Sequence, residues 1–124
     1  MKIVVLIARI LLGLLFFVFG LNGFLHFMPM GPMPAGDAGQ FIAVMFHSHW
    51  IVFVSAVQVI GGALLLIGRY VPLGLILLGP VIVNILLYHI LMQPKGIGPG
   101  LLAAILWFVV AYSRRENLEG IFAR

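Results

Sequence analysis

Four continuous runs of apolar residues follow one another along the chain, separated by short segments rich in glycine and proline. They cover residues 3–27, 50–67, 71–92 and 97–112. At about 1.5 Å per residue, helices of such lengths span ~30 Å of hydrocarbon, although the fourth run is short and predicts little tilt. In none of the runs do apolar and polar residues alternate with a period of two, as they do in a membrane β-barrel. Backbone hydrogen bonds in lipid must therefore be made within α-helices. We predict an all-α fold, a four-transmembrane-helix bundle forming one domain over residues 1–124.

Composition places this bundle in lipid rather than in water. Hydrophobic residues make up 64% of the 124 residues and charged residues 8%, whereas soluble domains are about half apolar and a quarter charged. The net charge is +4, but the basic residues are scattered among apolar runs and form no continuous patch, so we expect no nucleic-acid partner. The chain has no cysteine, so any redox role requires a bound cofactor.

The distribution of basic residues predicts the orientation. One side of the predicted bundle carries six basic residues, which are Lys2, Arg9, Arg69, Arg114, Arg115 and Arg124. The other side carries only Lys95. Because positive charge is retained in the cytoplasm, we predict that both termini are cytoplasmic, in the inner membrane of a bacterium or archaeon. The first apolar run is longer than a signal-peptide core and no clear cleavage site follows it, which favours a span.

The outer connection between the first two spans contains a candidate short helix. Asp37 followed by Gln40 is a variant of the capping box and predicts a helix that continues through Phe46. This segment is largely apolar, and Trp50 after it marks the start of the next span. We expect the helix to lie at the membrane surface or against the bundle.

Small residues and one proline predict how the spans pack. Gly13 and Gly20 on the first span and Gly62 on the second permit close approach of helices. In the third span, Pro80 removes the backbone donor to the carbonyl of Ile76 and predicts a kink near the middle.

Polar side chains at membrane depth are the candidate ligand-binding residues, because each costs free energy unless it is paired or faces a cavity. They are Arg9, Asn22, His26, Gln58, Asn84, Tyr88 and His89. Arg9 is shallow enough to snorkel or to make a structural hydrogen bond, which is the simpler interpretation. The alternative is that Arg9 holds an anionic or carbonyl-bearing ligand together with Gln58.

The remaining candidates fall in the outer half of the predicted bundle. Asn22 and His26 share one helix face, and Asn84 and Tyr88 share another. His89 lies about 140° around the helix from Asn84, so these two cannot point at the same spot. One interpretation is a pocket in the outer half, formed by Asn22, His26, Asn84 and either Tyr88 or His89. The simpler interpretation is that these groups only make interhelical hydrogen bonds.

The sequence predicts neither a catalytic group nor a metal site. His47 and His49 are two residues apart, which suits an extended chelating segment, but the only acid near them is Asp37. No metal-ligand or haem motif, Ser/His/Asp arrangement or phosphate-binding loop is present.

Three segments resemble the DoxX family of small membrane proteins. They are ARILLGLLFFVFGLNGF at 8–24, VQVIGGALLLIGRYVPLGL at 57–75 and GPVIVNILLYHI at 79–90. The most specific features are Gly61-Gly62, Gly68-Arg69, Pro72, Pro80, Asn84 and His89. Gly23 stands where Lys is frequent in the family, and Gln58 where many members carry Glu, which argues against an acid-dependent proton role at that position.

The resemblance implies a four-helix membrane bundle and an association with quinone-linked redox complexes. We therefore expect an accessory or ligand-binding component that is not an enzyme on its own. Its expected ligand is a quinone in preference to haem, and the sequence leaves the cofactor open. A small transporter is an alternative, but four short spans leave little room for a path and no inverted repeat is evident. A further alternative is a scaffold that binds a larger membrane partner, and the chain could also form a homodimer.

Overall fold

The computed structural model describes residues 2–25, 35–92 and 97–119, which form six helices. The helices are α1 (Lys2–Leu25), α2 (Asp37–His47), α3 (Trp50–Ile67), α4 (Val71–Leu91), α5 (Gly98–Ser113) and α6 (Arg115–Glu119). The predicted all-α class is confirmed. Three of the described helices, α1, α3 and α4, are long and apolar enough to cross a membrane. The predicted fourth span corresponds to α5, an apolar helix of 16 residues.

The four long helices pack side by side with neighbours running in opposite directions. Arg9 near the start of α1 meets Leu65 near the end of α3, whereas Gly20 meets Ser55 near the start of α3. The pairs α3 and α4, α4 and α5, and α1 and α5 also pack against each other. The order around the bundle is therefore α1, α3, α4, α5, which places α1 diagonally across from α4.

Glycines form the seam between α1 and α3, as the sequence predicts. A Cβ at Gly62 would lie 2.6 Å from the backbone nitrogen of Phe17 and 2.8 Å from the carbonyl oxygen of Gly13. A Cβ at Gly20 would lie 2.9 Å from the backbone of Ser55. The two backbones are thus in contact, and no larger residue fits without moving a helix.

The corner between α3 and α4 depends on a left-handed residue. Gly68 has φ +79° and its N–H donates to the carbonyl of Leu64, which ends α3. Tyr70, with φ 54°, precedes α4, and Pro72 occupies its first turn. Glycine adopts such a φ without the steric cost that a Cβ imposes, so the chain reverses within three residues.

The core lies where α1, α3, α4 and α5 meet. Its largest fully buried side chains include Leu12, Phe16, Leu65, Leu75 and Leu78. Trp107 Nε1 of α5 donates across this core to the carbonyl of Leu75 at 2.8 Å. The bond ties α5 to α4 one turn before Pro80, and α4 continues through that proline as one helix.

The short helix α2 confirms the predicted helix and corrects its cap. Asp37 is the first residue of α2 rather than its N-cap, which is Gly36 with φ 71° and no side-chain cap hydrogen bond. The capping-box interpretation is therefore wrong, because the chain enters the helix one residue earlier through a conformation that glycine accommodates. Asp37 still stabilises the first turn through the helix dipole. Ala38 is buried, and α2 packs against α3.

Candidate functional site

Basic side chains and histidines lie toward opposite ends of the bundle. We define the basic end as the end where α1 begins and α5 finishes, and the α2 end as the opposite one. The described lysine and arginine residues all lie at the basic end; they are Lys2, Arg9, Arg69, Arg114 and Arg115. The described histidines, which are His47, His49 and His89, lie at the α2 end. Lys95 and Arg124 are outside the described residues.

An aromatic cluster at the α2 end brings together two of the predicted site residues. The ring of Tyr88 lies 5.6 Å from the ring of Phe41 on α2 and 5.1 Å, edge-on, from the imidazole of His89. Nδ1 of His89 is 2.8 Å from the carbonyl of Ile85. Because a carbonyl only accepts, Nδ1 must carry the proton in this bond, which leaves a lone pair on Nε2 of the neutral ring.

The other predicted members of the outer-half pocket have different surroundings. Asn22 is half-buried on α1, where it already takes part in an interaction within the protein. Asn84 is exposed on the outer side of α4, on the helix diagonally across from α1. His26 lies outside the described residues. The structure therefore places the Asn84 amide on the outer surface of the bundle.

Gln58 and Arg9 occupy different levels of the bundle. Arg9 donates from Nη1 to the carbonyl of Leu65 and packs against Gly68. That carbonyl belongs to the last turn of α3, so the guanidinium stabilises a helix C-terminus. The structural hydrogen bond predicted for Arg9 is confirmed. Gln58 is half-buried seven residues earlier on α3, or about 10 Å along the axis. Arg9 thus reaches α3 at the end of the helix, away from Gln58.

A large groove opens at the basic end between the start of α1 and the end of α5. Its volume is about 980 Å³. It is lined by Lys2, Val5, Leu6, Arg9, Gly68, Phe108, Val109, Tyr112, Ser113, Arg114, Arg115 and Asn117. Four of these are basic, so the expectation that the basic residues form no continuous patch is wrong. The fold thus brings together basic residues that are far apart in the sequence.

The two histidines of the α2–α3 connection lie apart from both features. His47, at the end of α2, borders a shallow hollow of about 300 Å³. His49 forms the turn before α3, with φ 63°. In the described part of the chain, no three side chains of the kinds that bind metals come together.

A family model described as DoxX matches residues 4–90. The chain belongs to the DoxX family. This confirms the resemblance found in the sequence. Comparison with curated proteins and with solved structures gave no match.

The family match divides the candidate residues of this DoxX protein into two groups. The matched segment runs from α1 to the end of α4 and includes the aromatic cluster and Arg9. Lys2, Arg114 and Arg115 fall outside it. The residue types of the groove were visible in the sequence, but their convergence was not, since Lys2 is separated from Arg114 by nearly the whole chain.

Proposed function

We propose that this DoxX protein is an accessory, non-catalytic component of a quinone-linked redox system in the cytoplasmic membrane of a bacterium or archaeon. It crosses the bilayer four times, with both termini in the cytoplasm. A lipid-soluble quinone docks beside Tyr88 and His89 at the outer, α2 end. The protein contributes ligand binding, and its partner complex carries out the electron transfer.

Two features of the described helices support the topology. α5 is apolar over 16 residues and packs antiparallel to α1 and α4, so it occupies the same layer as the three longer helices. The described basic residues gather at one end, where the positive-inside rule places the cytoplasm. α2 then lies at the outer surface beside Trp50, which is exposed at the start of α3.

The aromatic cluster of Phe41, Tyr88 and His89 is the observation that carries the proposal. A quinone ring stacks on aromatic side chains in the offset or edge-on geometries that such rings already adopt here. The Tyr88 hydroxyl donates to a quinone carbonyl, whereas the lone pair on His89 Nε2 accepts from the hydroxyl of the reduced quinol. The pair therefore recognises both oxidation states of one ligand.

Replacing Tyr88 with Phe tests this site and keeps the ring while removing the hydroxyl. We expect affinity for a short-tailed benzoquinone to fall about fivefold in Tyr88→Phe, because one hydrogen bond contributes about 1 kcal/mol. His89→Ala should weaken binding of the reduced quinol more than that of the quinone. Quenching of tryptophan fluorescence in detergent measures both affinities.

His47→Ala is the matched control, since His47 is exposed on α2 outside the cluster. It should leave both affinities unchanged. The proposal fails if the unsubstituted protein does not bind the quinone, or if Tyr88→Phe and His89→Ala bind as tightly as His47→Ala.

A second candidate function, assembly as a homodimer, rests on Asn84. This amide is exposed about 20 Å along α4, at a depth where hydrocarbon offers no hydrogen-bond partner. Its neighbours Val83 and Leu87 are exposed apolar residues. Because an amide both donates and accepts, Asn84 of a second copy pairs with it reciprocally, which makes the outer face of α4 self-complementary.

Asn84→Leu is expected to weaken the dimer about eightfold, since two hydrogen bonds of about 0.6 kcal/mol each are lost. Asn84→Gln keeps the amide and should retain most of the dimer. Light scattering of the protein at several detergent dilutions gives the dissociation constants. Equal dimerisation of the Leu and Gln variants would exclude Asn84 as the contact.

A further inference from the structure

The groove at the basic end is a charged site without an acidic counterpart. Lys2, Arg9, Arg114 and Arg115 line it, and no Asp or Glu is among the described residues of its wall. Glu116 and Glu119 lie on α6 but do not line the groove. Within the described residues, none of the four basic side chains has an acidic partner. An anion entering the groove therefore meets positive charge that no acidic residue of the described wall neutralises.

Two of the guanidinium groups are already held in position. Arg9 is fixed by its hydrogen bond to the Leu65 carbonyl and by contact with Gly68. Arg115 donates to the Tyr112 carbonyl at 2.9 Å, and its guanidinium lies 4.4 Å from the centre of the Tyr112 ring. A guanidinium has five N–H donors, so each retains donors for a ligand. Such an arrangement suits the oxygens of a phosphate group.

Apolar side chains also line the groove. They are Val5 and Leu6 of α1 and Phe108 and Val109 of α5. Leu6 and Phe108 are also exposed on the outside of the bundle. Polar side chains that line it include Ser113, at the end of α5, and Asn117, on α6. A ligand that matches both the basic and the apolar residues of the groove has an anionic headgroup and hydrocarbon chains.

The geometry points to a binding site for a lipid with an anionic phosphate headgroup. The phosphate lies among Arg9, Arg114, Arg115 and Lys2, and the acyl chains run along Leu6 and Phe108 toward the bilayer. The volume of about 980 Å³ accommodates a headgroup with the first part of its chains. The site is at the opposite end from the quinone site and is independent of it. Basic residues next to spans bind anionic lipids in this way.

Native mass spectrometry of the full chain in detergent, with equal amounts of phosphatidylglycerol and phosphatidylcholine, tests the site. The unsubstituted protein should retain phosphatidylglycerol selectively. Lys2→Gln and Arg115→Gln should each lower the ratio of phosphatidylglycerol to phosphatidylcholine about fivefold. Both residues are exposed, so these variants are expected to fold normally; the thermal unfolding midpoint checks this.

Arg69→Gln supplies the matched control. Arg69 is an exposed arginine at the same end of the bundle that does not line the groove, so its removal should leave the ratio unchanged. An equal loss in Arg69→Gln overturns the site in favour of a general surface-charge effect. Unchanged selectivity in Lys2→Gln and Arg115→Gln overturns it as well. Displacement of phosphatidylglycerol by equimolar glycerol phosphate would overturn the lipid assignment, because it would show that the acyl chains contribute nothing.

Discussion

Gly62→Ala is expected to destabilise the folded bundle by about 3 kcal/mol or more, although it adds a single methyl group. The new Cβ would lie within 3 Å of the Phe17 backbone nitrogen and of the Gly13 carbonyl oxygen. Both are backbone atoms of α1, so a change of rotamer cannot relieve the overlap and α1 must move away from α3. Unfolding of the detergent-solubilised protein in increasing dodecyl sulfate, followed by tryptophan fluorescence, measures the loss.

Gly79→Ala is the matched control for this substitution. A Cβ at Gly79 would lie 3.5 Å from the Trp107 ring, which is an ordinary van der Waals distance. Alanine favours the helix by about 0.5–1 kcal/mol relative to glycine, but the ring of Pro80 opposes a Cβ on the preceding residue, so Gly79→Ala should change stability far less than Gly62→Ala. If both variants unfold at the same detergent ratio, the backbone contact between α1 and α3 does not hold the bundle together.

Phe16→Ala is the second substitution with a large expected effect. Phe16 is 1% exposed at the centre of the core, and truncation of a buried Phe costs about 3–5 kcal/mol through lost contacts and the cavity left behind. Phe19, one turn along the same helix, is 51% exposed and faces the surroundings of the bundle. Phe19→Ala should cost much less, because lipid fills the space that the ring leaves.

The same unfolding measurement compares the two phenylalanine variants. A loss in Phe16→Ala several times that in Phe19→Ala is expected. Comparable losses would mean that the face of α1 carrying Phe16 is not the one that packs inside the protein.

The helices were predictable because glycine, proline or basic residues follow each apolar run within two residues. The predicted 50–67 coincides with α3, and the predicted 71–92 differs from α4 by one residue. The glycine seam followed from residue size alone. The cap of α2 was not predictable in the same way, since Gly36 ends the preceding segment through a positive φ that only the folded backbone reveals.

The candidate site was harder to predict, for two physical reasons. The sequence gives the angle between two side chains on one helix, but it does not show which face of that helix packs against its neighbours. Because apolar residues lie all around α4, no pattern indicated that Asn84 faces outward. The groove depends on the antiparallel contact of α1 with the end of α5. Local sequence patterns carry no information about contacts between the two ends of a chain.

The bond from Arg9 to the carbonyl of Leu65 joins residues 56 positions apart. During synthesis, the first span therefore leaves the ribosome long before its acceptor exists. Until α3 is complete, the guanidinium has only water and headgroups as partners, so we expect the first span to stay at a depth from which Arg9 reaches the membrane surface. Synthesis of α3 then supplies the acceptor. We therefore expect α1 and α3 to associate only after α3 has been made.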